Sequence, residues 1–446
     1  MGKRVLLVGA YERDNFGDLL FLLLSQHYFR SVAVTASAPM AADMSSLLDQ
    51  QIVAYGPLLR QQNFDHIWTV GGEVGGVTPL AAFEMSAPRD LLQSYVTSRD
   101  QLRILAEAFG GGLVESPYIP RPTAYPKNAL ATLGLNSVGL SGIGRIAAAS
   151  RSRLLSTLRM ATPISVRDEA SSRYLKACNI KHSLVPDLVH SIALIRPREP
   201  ANNSDYILVQ ASNQYLDSVG EEAFAESIAQ LGRQAGSEIR LFVAGTASGH
   251  DSVASYGRIV ATIARISPEV GVSISSARRP WDRVDEIRNA RLWIGTSLHG
   301  RIVSAAHGIR RVSLDIGKVN RYAATWDPDM PYSVRIEEVV DAAVSALTES
   351  GGTALLEHGR SLGDLADENM RTAVAATIAG EFDPSVEDRF ASLEALRASE
   401  AEHYELQQSP SAAGLLKEGI RRGVLARTSP QFREFVRGVL AKKGRR

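Results

Sequence analysis

The stretch ARLWIGTSLHGRIVSAAHGIRRVSLDIGK holds the densest chemistry in the chain, because it sets His299 and Arg301 just beyond Thr296 and Ser297. Its pattern predicts a buried strand, Leu292–Gly295, that breaks at Thr296-Ser297 into a helix beginning near Leu298, with a further strand at Val312–Asp315. His299 and Arg301 are thereby expected at a helix N-terminus facing the strand ends. A titratable proton donor, a fixed cation and free backbone amides then share one place, as an anionic substrate undergoing proton transfer requires.

Three other turns carry polar residues where α/β proteins place ligands, beyond the carboxyl ends of strands. The first is GAYERDNFGDLLFLL, whose Asn15, Gly17 and Asp18 form a small polar loop ahead of an apolar helix. That loop suits an anion or a hydroxyl-rich substrate, although Asp18 as a helix cap and Gly17 as a turn residue account for it as well. It is neither a dinucleotide fingerprint nor a P-loop. The second is VGGEVGG, which lets a ligand or another backbone come close. The third is PISVRDEASSRYLKACNI, with Arg167 at a strand end and Asp168 in capping position. The Arg167 guanidinium offers a fork of donors to carboxylate or phosphate, or pairs with a neighbouring acid. Downstream, HSLVPDLVHSI puts Asp187 after a proline at the end of a short strand.

The elements that must hold these residues alternate between β-rich runs and helical patterns. Strands are predicted at Lys3–Gly9, Ser31–Ala36, Gln51–Tyr55, Asp65–Val70 and Pro163–Arg167. After the polar stretch IRPREPANNSD they recur at Tyr206–Gln210, Ile239–Ala244, Val270–Ser273, Arg291–Gly295 and Arg311–Asp315. Two α/β units with mostly parallel sheets follow, 1–196 and 205–348, joined near residues 196–204. Pro117–Pro126, with four prolines, and Gly134–Gly144, with four glycines, are expected as loops bordering a site. From about residue 350 a helical extension is expected, 350–446. Its basic, Leu- and Phe-bearing end suits peripheral contact with an anionic membrane surface, or packing on the body.

Composition narrows the function classes. The 446 residues, 45% hydrophobic, bury more than one core, and 49 basic against 48 acidic residues leave no general field for nucleic acid. One cysteine, Cys178, excludes an intrachain disulfide and a cysteine metal cluster, as fits a reducing, cytoplasmic setting. The start MGKRVLLVGA reads as a first strand and not as a signal peptide.

Taken in order, the N-x-G-D turn of Asn15–Asp18, the ISVRDEASSRYL block, the VPD tripeptide Val185–Asp187 and GTSLHGRIVSAAHGI resemble the polysaccharide pyruvyl transferase family, over roughly residues 3 to 345. The resemblance implies a fold like that of GT-B glycosyltransferases: two Rossmann-like α/β domains with the active site in the cleft between them. It implies phosphoenolpyruvate as the donor co-substrate, a glycan or lipid-linked saccharide as acceptor, and no metal or other cofactor. On this likeness His299 is the general acid toward the methylene carbon of phosphoenolpyruvate, and Arg167 binds donor phosphate or carboxylate. Many members carry an arginine where this chain has Ser297, so Arg301 on the same turn and Lys318 after the next strand are expected to stand in. Asn15, Gly17, Asp18, Ser297, Arg301 and Lys318 form the expected substrate-binding set, with Asp18 or Asp187 as base toward the acceptor. A nucleotide-sugar glycosyltransferase and a non-catalytic glycan-binding protein share this architecture.

Overall fold

A computed structural model of the chain describes residues 2–112, 114–197, 204–348 and 352–380. Two sheets organise it. The first contains β1 (Arg4–Val8), β2 (Ala33–Ala38), β3 (Ala42–Asp43), β4 (Gln51–Ala54), β5 (His66–Thr69), β6 (Gly72–Glu73), β7 (Thr132–Gly139), β8 (Ile164–Val166) and β9 (Ser183–Leu184). Its order is β3-β4-β2-β1-β5-β7-β8-β9, with β6 beside β7, and only the short β3–β4 pair is antiparallel. The second contains β10 (Tyr206–Gln210), β11 (Glu238–Leu241), β12 (Val272–Ile274), β13 (Leu292–Gly295) and β14 (Arg310–Ser313), all parallel, in the order β12-β11-β10-β13-β14. Strand order reverses beside β1 in the first sheet and beside β10 in the second. The crevices at these switch points lie beyond β1 and β5, and beyond β10 and β13.

The ten strands expected from sequence all form, with ends shifted by at most three residues, as in Ala33–Ala38 for the expected Ser31–Ala36 and Glu238–Leu241 for Ile239–Ala244. The glycine-rich segment expected as a loop, Gly134–Gly144, is corrected: its first half is the C-terminal part of β7, buried along its whole length at the centre of the first sheet. The glycines there are packing devices. A methyl group at Gly134 would overlap the Trp68 ring, and one at Gly139 would overlap the Glu73 carboxylate. A strand whose neighbours fill the space of its own side chains loses the hydrophobic alternation by which strands are read.

The long helix Gly352–Ala379 fastens the two units to each other. Gly359 lets it approach the backbone of the helix Leu298–Ala306, where a methyl group would overlap the Ala305 carbonyl, and Gly363 lies against the His190 carbonyl. Tyr28 donates to Asp367 at 2.6 Å and Asn369 to Asn136 at 2.9 Å, both in the first unit. No helix among the described residues is long and apolar enough to cross a membrane. The basic segment expected to meet lipid lies outside the described residues.

Candidate active site

The two switch points face each other. The turn after β1 carries Asn15–Asp18, and the turn after β13 carries Thr296–His299. Asn15 caps the helix Phe16–Tyr28 by accepting the Gly17 amide at 3.2 Å, and Ser297 caps the helix Leu298–Ala306 by accepting the Gly300 amide at 3.2 Å. Between them sits His299, its imidazole laid on Gly17 so closely that any side chain there would overlap Nδ1. The Phe21 ring meets the imidazole edge-on, 5.1 Å between centroids. Phe21 in turn fills the space a methyl group would take at Gly71, whose φ of +142° only glycine adopts readily. The N-x-G-D and V-G-G turns are thus the floor and wall that orient one histidine.

His299 Nε2 points at Asp187, 3.8 Å from Oδ2, within ion-pair range but too far for a hydrogen bond, and has no hydrogen-bond partner among the described residues. Arg167 Nη1 holds the same Oδ2 at 2.7 Å, and the Val189 amide donates to Oδ1 at 3.0 Å. Burial opposes the Asp187 charge. The facing His299 and Arg167 more than offset it and hold the carboxyl well below the usual carboxylate range. Asp187 is therefore an ionised orienter beside the imidazole, unsuited to accept a proton from an acceptor hydroxyl. Glu73 and Asp168 add to the negative field around the Arg167 guanidinium.

One helix of the second unit completes the cluster. Along Gly317–Trp326, Lys318, Tyr322 and Trp326 recur at intervals of four and share one face. Trp326 Nε1 donates to the Arg167 carbonyl at 2.8 Å, and the Tyr322 hydroxyl accepts the Asp187 amide at 2.9 Å. With those two anchored in the first unit, Lys318 enters the cleft at the helix start, without an ion pair among the described residues. Its side chain is open to solvent in the cleft, yet the protein crowded around it, first, and the Arg167 cation, second, lower its pKa.

Arg301 is corrected. Residues two apart on a helix point about 200° apart, so Arg301 faces away from His299 into the second unit. It is 1% exposed and donates to Ser313 Oγ at 3.0 Å and to the carbonyls of Pro331, Asp327 and Met330 at 2.8–2.9 Å. Its Nε also lies 2.7 Å from the Asp327 carboxylate, which Arg311 shares. The guanidinium is wholly engaged in closing the Asp327–Pro331 segment. Asp18 lies in the cleft paired with Arg13 at 3.2 Å.

Several cleft residues escaped the sequence reading. Arg13 donates to the Tyr118 hydroxyl at 2.7 Å, and Tyr118 donates to buried Glu12 at 2.8 Å, so the proline-rich segment braces the first turn. Asp14 bridges the units: Arg283 meets it through both Nη atoms, at 2.7 and 3.1 Å, and Thr246 donates through its amide and hydroxyl. His250 Nε2 lies 3.5 Å from the Asn15 amide group, and burial, then Arg13 and Lys318, push its pKa down to about 4. Single charged residues in loops carry no periodicity, whereas the Lys318, Tyr322, Trp326 spacing was there to be read.

Two doubly wound, mostly parallel sheets with a polar cleft between their strand ends define the GT-B architecture. Among solved structures, a protein of Listeria monocytogenes assigned as a UDP-N-acetylglucosamine 2-epimerase superposes with a TM-score of 0.52 at 11% identity, covering 86% of this chain and 98% of that one. The Anabaena HepE protein in complex with UDP and glucose gives 0.49 at 11% identity, covering 85% and 100%. No curated protein matches the chain. Residues 109–317 match the polysaccharide pyruvyl transferase family, the family its motifs resemble. That span takes in Arg167, Asp187, Ser297, His299 and Arg301, stops one residue before Lys318, and leaves out Asn15–Asp18.

Proposed function

We propose that the protein transfers a pyruvyl group from phosphoenolpyruvate to hydroxyls of a glycan or lipid-linked saccharide, forming a pyruvate ketal. The observation that carries this reading is the convergence of one seated histidine, an ionised aspartate and two cations, Arg167 and Lys318, in the cleft of a chain matching this family. Phosphoenolpyruvate presents a carboxylate and a phosphate on an enol carbon, and its reaction asks for a proton at the methylene carbon while both anions are held. The His299 imidazolium delivers that proton, and Asp187 stabilises it before transfer. The donor's C2 becomes oxocarbenium-like, and one sugar hydroxyl bonds to it and releases its proton. The phosphate then leaves that carbon, a second hydroxyl bonds in its place to close the ketal, and the proton of that hydroxyl returns to His299. Arg167 and Lys318 hold the carboxylate and the departing phosphate, where fixed cations lower the barrier without reorganisation. Asp18, in the cleft on the opposite wall, is the carboxylate assigned to receive the acceptor's proton.

The test is a thermal-shift series with phosphoenolpyruvate, inorganic phosphate and a panel of UDP-sugars on the parent, His299→Ala and Lys318→Ala. A ligand confined to the folded state adds about 2.7 kcal/mol at a hundredfold excess over Kd. Selective stabilisation by phosphoenolpyruvate is expected, retained in His299→Ala and weakened at least tenfold in Lys318→Ala. Stabilisation by a UDP-sugar alone would overturn the reading and make this a nucleotide-sugar enzyme.

A further inference from the structure

Away from the cleft, the first unit contains a cavity of about 250 Å³ whose polar lining comes from three separate elements. Arg60 extends from the helix Tyr55–Gln61, Arg121 from the proline-rich segment, and Arg153 from the helix Ala148–Met160. The rings of Tyr55 and Tyr125 line it as well. Three cations and a single carboxylate, Glu115, line it: Glu115 lies 3.5 Å from Arg121 Nη2 and 3.0 Å from Arg153 Nε, while Arg60 donates to the Gly110 carbonyl. Glu115 is the more exposed partner, its side chain 42% accessible against 17% and 23% for the two arginines, so it sits at the mouth with the cations deeper inside. Arg121 Nε is buried without a hydrogen-bond partner among the described residues. A buried donor left unpaired costs free energy, and so does a cation excess that surrounding water screens only in part. Burial pushes the Tyr125 hydroxyl up to about 12 while Arg60 and Arg121 pull it down, which places that ring within reach of the same positive field.

We infer that this cavity is a second ligand site, distinct from the His299 cleft, that binds a phosphoryl group borne on a monosaccharide. The anion satisfies Arg121 and Arg153 by displacing Glu115; bidentate guanidinium donation suits an oxyanion and not a halide, and the three oxygens of a phosphoryl group can take donors from both arginines at once. The size argues for the sugar. The cavity is smaller than the roughly 300–1,000 Å³ typical of drug-sized ligands, yet a bare phosphate would leave most of it empty, and tyrosine rings are suitable walls for a pyranose.

Calorimetric titration with glucose 1-phosphate tests the assignment, with inorganic phosphate and glucose as the partial ligands. The same sugar phosphate on a short polyprenyl tail, in detergent, separates a free ligand from a lipid-borne one, and binding of either through these arginines supports the site. Glucose 1-phosphate is expected to bind with a Kd of about 0.1–1 mM, at least tenfold tighter than inorganic phosphate. The Arg121→Ala/Arg153→Ala pair should weaken it at least tenfold. Lys318→Ala should leave it unchanged, and loss of binding there would return the ligand to the cleft and overturn the inference. Equal affinity for phosphate and the sugar phosphate, or no binding, would also overturn it. If the double variant fails to fold, Glu115→Gln decides: removing the competing carboxylate should tighten binding about threefold or more, and unchanged affinity sinks the proposal.

Discussion

At the scale of single residues, the site depends on what is missing as much as on what is present. His299 is aimed at Asp187 because Gly17 has no side chain and Phe21 closes the other flank. A methyl group at position 17 must push the imidazole off its seat, although the helix Phe16–Tyr28 itself tolerates alanine. Gly17→Ala is therefore expected to behave like His299→Ala, losing about 10²–10⁴ in kcat for phosphate release from phosphoenolpyruvate in the presence of an acceptor, with its melting temperature nearly unchanged. Activity within tenfold of the parent in Gly17→Ala would detach the N-x-G-D turn from the histidine. The glycine was visible in the sequence, but its partner was not, because nothing in the local pattern says which distant ring will occupy the space.

At the scale of elements, one helix sends two neighbouring polar residues to different tasks. Leu298–Ala306 presents His299 to the cleft and Arg301 to the interior, where it pairs with Asp327 and caps three carbonyls. Removing one partner of a buried, hydrogen-bonded ion pair costs about 3–5 kcal/mol, while deleting a solvent-facing lysine costs about 0.5 kcal/mol or less. Arg301→Ala should accordingly lower the urea midpoint sharply, and Lys318→Ala should leave it in place. If Arg301→Ala keeps its stability and loses donor affinity instead, the buried assignment is wrong. Sequence reading set His299 and Arg301 together on a helix start. The helical angle between them, applied to that same reading, separates them.

At the scale of the whole molecule, the junction of both units and the terminal helix encloses His190. Its ring stacks on Tyr322 at 6.1 Å between centroids, its carbonyl meets Gly363, and neither ring nitrogen has a hydrogen-bond partner among the described residues. Burial, only partly countered by Asp187 and Asp327, lowers its pKa from the ordinary 6.5 to about 4. Between those values the unfolded chain binds the proton and the folded protein does not, so the stabilisation is present above pH 6.5 and is lost as pH falls toward 4. One such group changes stability by at most about 1.4 kcal/mol per pH unit. Denaturant midpoints measured from pH 7 to pH 4 should fall steeply in the parent and less steeply, by about one proton, in His190→Phe. An unchanged slope would place the acid sensitivity elsewhere, with His250 the next group to test.

The chain's own order of residues determined the alternating strands and helices, the polar turns at strand ends, and the four stretches that resemble one family, because strand periodicity, caps and short motifs are local properties. The folded structure alone decided the rest. It made β7 a central strand despite its glycines, turned Arg301 inward, and brought Asp187 to His299 and Asp14 to Arg283 from more than a hundred residues away. Those pairings rest on shape filled by distant neighbours and on charges matched across two sheets, and neither leaves a period in the sequence.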